Sequence, residues 1–106
     1  WRRPLSEVTG LNESTDIIPK GFYLLQNFPN PFNPSTKISW QSPLRSHQTL
    51  KVYDILGNDV ATLVNEEKPA GVYEVEFNAE DLSSGIYFYR LQSGDYVLMR
   101  KMILLK

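Results

Sequence analysis

The sequence predicts an all-β fold: about seven short antiparallel strands, paired as two sheets or closed as a small barrel. Three observations carry this expectation. Apolar and polar residues alternate with a period of two over residues 36–41 and 72–78. Turn residues (Gly, Pro, Asn, Asp, Ser) recur about every eight to fourteen positions along the chain. No stretch sustains the 3.6-residue apolar period of a helix. Strands this short can bury their apolar faces only by stacking two sheets or by closing one on itself.

The elements follow in order. Residues 1–21 are mostly polar and broken by Pro4, Gly10, Pro19 and Gly21, which reads as a linker or the end of an upstream domain. The chain opens on Trp1 instead of Met, so it is expected to be a piece of something longer, and a missing leader carries no weight. Residues 22–106 form the domain. Phe22-Tyr23-Leu24-Leu25-Gln26 reads as a first strand. Residues 27–35 then place Pro29, Pro31 and Pro34 among three asparagines. Each proline fixes its own φ and pushes its predecessor into extended backbone, so this is a stiff connection. Phe28 and Phe32 within it are expected to fold back and cap the core, since both would be costly in water.

Residues 36–41 alternate with Ile38 and Trp40 inward. Residues 42–48 read as a polar loop, Leu50 and Val52 as the next strand, and Ile55-Leu56-Gly57-Asn58-Asp59 as its turn. Residues 60–64 follow, then a polar turn over 65–71. Next comes a strand with Tyr73, Val75 and Phe77 inside and Glu74 and Glu76 outside. Ile86-Tyr87-Phe88-Tyr89-Arg90-Leu91-Gln92, bracketed by Gly85 and Ser93-Gly94-Asp95, is the central strand. Its Tyr87, Tyr89 and Leu91 share one face. A tyrosine two residues after a turn glycine is similar to the tyrosine corner of immunoglobulin-like sandwiches, where the hydroxyl bonds the backbone just upstream. Residues 96–105 close the domain.

Composition excludes several classes of function. A net charge of −1 offers no long-range field for nucleic acid. There is no apolar run near the ~18 residues of a membrane span. The absence of cysteine removes disulfides and thiolate metal sites, and one histidine cannot hold zinc. His47, beside Ser46 and Gln48, has no paired acid and reads as a solvated loop residue. Asp54, Asn58 and Asp59 lack calcium-loop spacing and read as hairpin chemistry. No catalytic residues, metal ligands or cofactor site are assigned. Trp40 and the tyrosines raise a carbohydrate-binding or adhesive module as the alternative, but alternation turns most of these rings inward.

Leu25-Gln26-Asn27-Phe28-Pro29-Asn30-Pro31-Phe32-Asn33-Pro34-Ser35-Thr36 resembles the opening of the type A carboxy-terminal sorting domain of the bacterial type IX secretion system. The likeness continues in order through Val52-Tyr53-Asp54-Ile55-Leu56-Gly57, Val60-Ala61-Thr62-Leu63-Val64, Pro69-Ala70-Gly71 and Leu82-Ser83-Ser84-Gly85-Ile86-Tyr87-Phe88-Tyr89-Arg90-Leu91. It ends on Arg100-Lys101-Met102-Ile103-Leu104-Leu105-Lys106. The resemblance implies an immunoglobulin-like sandwich that directs a preceding cargo through the periplasm and the outer-membrane translocon. A surface sortase-like peptidase then usually removes the domain, and the cargo is anchored at the surface or released. The tail Lys101, Met102, Ile103, Leu104, Leu105 and Lys106 is the expected recognition segment. Equally, Met102 to Leu105 read as completing the last strand with lysines guarding an edge, and such a strand can close the core while its outer edge stays available for strand addition. Asn30, Pro31, Phe32, Asn33, Pro34, Gly57, Gly71, Gly85 and Tyr87 are expected to be mainly structural.

Overall fold

The computed structural model describes residues 21–106; the linker expected over residues 1–21 lies, but for Gly21, outside the described residues. Seven strands form two sheets. They are β1 (Tyr23–Leu24), β2 (Ser35–Ser42), β3 (Ser46–Asp54), β4 (Asp59–Lys68), β5 (Gly71–Asn78), β6 (Gly85–Ser93) and β7 (Tyr96–Leu104). One sheet has the order β1-β2-β5 and the other β4-β3-β6-β7, with every neighbouring pair antiparallel. This is the expected immunoglobulin-like sandwich. In constant immunoglobulin domains the fourth strand sits in the sheet of the first, second and fifth. Here the short turn at residues 55–58 lays β4 directly beside β3.

Period-two patterning decides what is buried. In β2, Thr36, Ile38, Trp40 and Ser42 face inward; in β6, Tyr87, Tyr89, Leu91 and Ser93 do so. Leu50 and Val52 from β3 and Met102 and Leu104 from β7 complete the layer between the sheets. Trp40 is inward as expected, and its indole N–H donates to Gln48 Oε1 at 2.8 Å. In β5 the alternation holds, but Tyr73 and Val75 are only half-buried because β5 and β4 are both sheet edges.

Several expectations change. The loop at 42–48 shrinks to Pro43, Leu44 and Arg45, which cross from one sheet to the other. Ser46, His47 and Gln48 belong to β3, with Gln48 fully buried. Residues 65–68 extend β4 instead of turning, since an edge strand tolerates polar residues on both faces. Phe32 is buried as expected, but Phe28 is 79% exposed. Its predecessor explains this. Asn27 takes the inward position at 2% exposure, so the next side chain points out.

Candidate functional site

The expected recognition tail is the second half of β7, and parity divides it. Met102 and Leu104 are fully buried and belong to the core, while Lys101, Leu105 and Lys106 are exposed and Ile103 is intermediate. Strand β7 is the outer strand of its sheet, paired to β6 through Gly85↔Leu104, Ile86↔Ile103, Tyr87↔Met102 and Phe88↔Lys101. The backbone groups of Lys101, Ile103 and Leu105 therefore point away from the sheet.

Four of those outward groups, Lys101 C=O, Ile103 N–H and C=O and Leu105 N–H, are already taken. Residues 24–32 run as an arch along the free edge of β7. Gln26 Nε2 donates to Lys101 O at 2.8 Å, and Asn30 Oδ1 accepts from Ile103 N–H at 2.9 Å. Phe32 N–H donates to Ile103 O, and Leu105 N–H donates to Phe32 O, both at 3.0 Å, in a parallel bridge. Arg100 Nε donates to Leu24 O at 2.6 Å. At the end of the chain Lys106 N–H donates to Ser84 Oγ at 2.9 Å, and its ammonium reaches Glu80 O. The edge expected to be open for strand addition is thus closed over residues 101–105 by this chain's own arch.

The arch is in turn held from the core. Tyr89 is fully buried in the middle of β6. Its hydroxyl donates to Leu25 O at 2.7 Å and accepts from Asn27 N–H at 2.8 Å. Burial pushes the Tyr89 phenol above its ordinary value, against the opposing effects of the Asn27 hydrogen bond and the Arg100 charge. Asn27 Nδ2 donates to Thr36 Oγ1 at 3.0 Å and to Pro29 O at 3.1 Å, and Thr36 Oγ1–H donates to Pro29 O at 2.8 Å. A buried asparagine, a buried threonine and a tyrosine hydroxyl thus fix the polar backbone of a proline-rich segment that has few ladder bonds of its own. Sequence reasoning singled out none of these three roles.

The remaining motif residues fall into place around this arrangement. Asn30 and Phe32 sit on the tail as described, and Pro34 O accepts from Ala79 N–H at 2.8 Å. Pro31 and Asn33 are exposed. Tyr87 donates its hydroxyl to Ser83 O at 2.7 Å, four residues upstream, in tyrosine-corner geometry. Gly57 has φ of 89° in the β3–β4 turn, while Gly85 has φ of 158°. Gly71 opens β5, where an added Cβ would meet Tyr73 Oη at 3.4 Å. The three glycines lie in different turns and strands and do not form one site.

Among the described residues, the partners of His47 and Asp54 are structural. His47 is an exposed residue of β3, its Nε2 2.7 Å from Asn65 Oδ1 of the neighbouring strand. Asp54 Oδ1 accepts from Leu56 N–H and Asn58 N–H, each at 2.9 Å, so its carboxylate organises the hairpin turn. Those bonds, the one from the Asn58 backbone foremost, hold its pKa below the ordinary value of 3.8. Among the described residues no group of three or more His, Cys, Asp and Glu could hold a metal ion, and no helix is long and apolar enough to cross a membrane.

Comparison with known proteins places this geometry. The family model described as "Secretion system C-terminal sorting domain" matches residues 26–105, from the arch through β7. No curated protein matches. Among solved structures, PorZ of Porphyromonas gingivalis, described as an essential bacterial surface component of the type-IX secretion system, superposes with a TM-score of 0.54 at 20% identity. That alignment covers 81% of this chain and 12% of that one, a likeness of fold. The ordered motifs, the seven-strand sandwich and the family match converge: the chain belongs to the secretion-system C-terminal sorting domains, the modules of type IX secretion that mark proteins for export to the cell surface or beyond.

Proposed function

We propose that this domain carries a preceding cargo from the periplasm through the outer-membrane translocon, making and breaking no covalent bond of its own. Residues 22–106 act as the folded address, and residues 1–21 as the linker in or near which a surface sortase-like peptidase cuts. A polar sequence broken by Pro4, Gly10 and Pro19 is the kind of segment a peptidase cuts. The observation that carries this reading is the family match over residues 26–105, which takes in the arch and most of the tail. The burial of Trp40 at 1% exposure counts against the adhesive alternative, which needs that ring on the surface.

The test is a reporter placed before the chain in a bacterium that has the type IX machinery. The reporter is expected at the surface or in the medium with the chain, and in the periplasm without it. Removing Lys101 to Lys106 is expected to hold the reporter in the periplasm, but it also strips Met102 and Leu104 from the core. A shorter truncation, removing only the exposed Leu105 and Lys106, separates the causes. Retention with the fold intact by circular dichroism supports a tail that is read. Export at the parental level shows that the free end is not the signal.

A further inference from the structure

The outer face of the four-stranded sheet carries large apolar side chains among its charges. Across it the register places Tyr53 beside Phe88 and Phe88 beside Lys101, Lys51 beside Arg90 and Arg90 beside Met99, and Ile86 beside Ile103. Met99 is 54% exposed, and the turn residues Ile55 and Leu56 are 65% and 83% exposed. Tyr53, Asp54, Ile55, Phe88, Arg90 and Met99 line a groove of about 320 Å³. Two of the tail residues, Lys101 and Ile103, lie on this face.

The charges on the face are unequally spent. Asp54 is engaged by the turn backbone, and Asp59 pairs with Lys51 at 3.2 Å. The Arg90 guanidinium lies 5.4 Å from the centre of the Tyr53 ring, and among the described residues no carboxylate pairs with Arg90 or Lys101. On the outer face of the other sheet the exposed charges of β5 are Glu74 and Glu76. Among the described residues, a groove with one unpaired cation in its wall, Arg90, and a second, Lys101, beside Phe88 is complementary to an apolar side chain flanked by carboxylates, since Asp54 in the same wall is already taken up by the turn amides. Tyr, Phe, Met and Arg are also the residue types enriched at protein interfaces.

We propose that this face, and not the clasped edge of β7, is the docking surface of the domain. Its occupant is a segment of a protein partner in the secretion machinery that presents an apolar side chain between acidic ones. The inference rests on the sorting function proposed above. The Ile55–Leu56 turn projects beside the groove, but a recess that takes a single side chain is matched by a protein segment, and a bilayer is the rival outcome of the test.

The test has a binding arm and an export arm. The isotope-labelled 106-residue chain is titrated with a hexapeptide of alternating leucine and aspartate, with its leucine–lysine counterpart, and with phosphatidylglycerol vesicles. The expected result is amide shifts at Tyr53, Phe88, Arg90 and Met99 with the aspartate peptide, weakened roughly tenfold or more with the lysine peptide and in Arg90→Glu. Arg90→Gln, which removes the charge without reversing it, is expected to fall between. Equal response to both peptides, no response, or response to vesicles alone overturns the proposal. In the export arm Arg90→Glu is expected to lower surface reporter, while Lys37→Glu on the opposite sheet leaves it unchanged. Normal export of a folded Arg90→Glu chain refutes this face while sorting still depends on the domain. Export of the reporter without the domain refutes the sorting reading itself.

Discussion

Tyr89→Phe is the sharpest test of how the arch is held. The substitution keeps the ring, which is fully buried, and removes one oxygen. That oxygen satisfies two backbone groups 62 and 64 positions away, Asn27 N–H and Leu25 C=O. Each buried group left without a partner costs about 1–3 kcal/mol. The Asn27 N–H bond is buried and the Leu25 C=O bond only part-buried, at a residue that is 52% exposed, so the two together are expected to cost about 2–3 kcal/mol. Tyr87→Phe is the internal control, since it removes a single part-buried bond to Ser83 O and is expected to cost about 1 kcal/mol. Urea unfolding followed by far-ultraviolet circular dichroism measures both. With a slope of about 1 kcal/mol per molar urea, Tyr89→Phe moves the midpoint by at least about 2 M. Hydrogen exchange gives a second readout. The amides of Asn27 and Ile103 should both lose protection, because the arch that Tyr89 holds also covers Ile103. The phenol also sets a pH dependence. Its pKa is raised in the fold, so the stability held by the neutral hydroxyl is complete below the unfolded value near 10 and is lost as pH rises above it. That alkaline component should be missing from Tyr89→Phe. A loss no larger than that of Tyr87→Phe, with Ile103 still protected, would refute the claim that this hydroxyl holds the arch.

The two phenylalanines of the arch should behave oppositely. Phe32→Ala is expected to cost about 3–5 kcal/mol and Phe28→Ala less than about 0.5 kcal/mol in the same unfolding assay, because only Phe32 is buried. Gly57→Ala is expected to destabilise by about 1–2 kcal/mol through its φ of 89° alone, as nothing lies within 4 Å of the added Cβ. Equal stability of wild type and variant would contradict that backbone assignment. Asp54 has a lowered pKa, so its contribution is present above the unfolded value of 3.8 and is lost as pH falls through the lower folded value. An acid titration comparing wild type with Asp54→Asn should show this component vanish, with amide shifts at Leu56 and Asn58 tracking it.

The sandwich was legible because its core strands announce themselves locally. Tyr87, Tyr89 and Leu91 share a parity, Ile38 and Trp40 another, and in each case parity alone gives the buried face. Local pattern failed where burial and polarity part company. Gln48 sits in a polar run, yet it is fully buried because the Trp40 indole needs an acceptor. Residues 65–68 look like a turn because an edge strand needs no apolar face. Phe28 points outward because the inward position belongs to Asn27, an assignment visible only once Thr36 and Tyr89 are seen to surround it. The clasp on the tail was out of reach for a further reason. Asn30 and Ile103 are 73 positions apart, and no short-range periodicity encodes which edge a proline-rich segment will cover.

That clasp also fixes how the domain bears load. The bridge between Phe32 and Leu104 is parallel, so the entering and departing ends of the domain lie side by side and continue in opposite directions. Tension between a tether at one end and a grip at the other would strain the bonds of Phe32 with Ile103 and Leu105 all at once, in shear, instead of peeling them singly. A module joined this way can be towed without unravelling from its ends, because β1 on β2, the arch and β7 on β6 take up the load together.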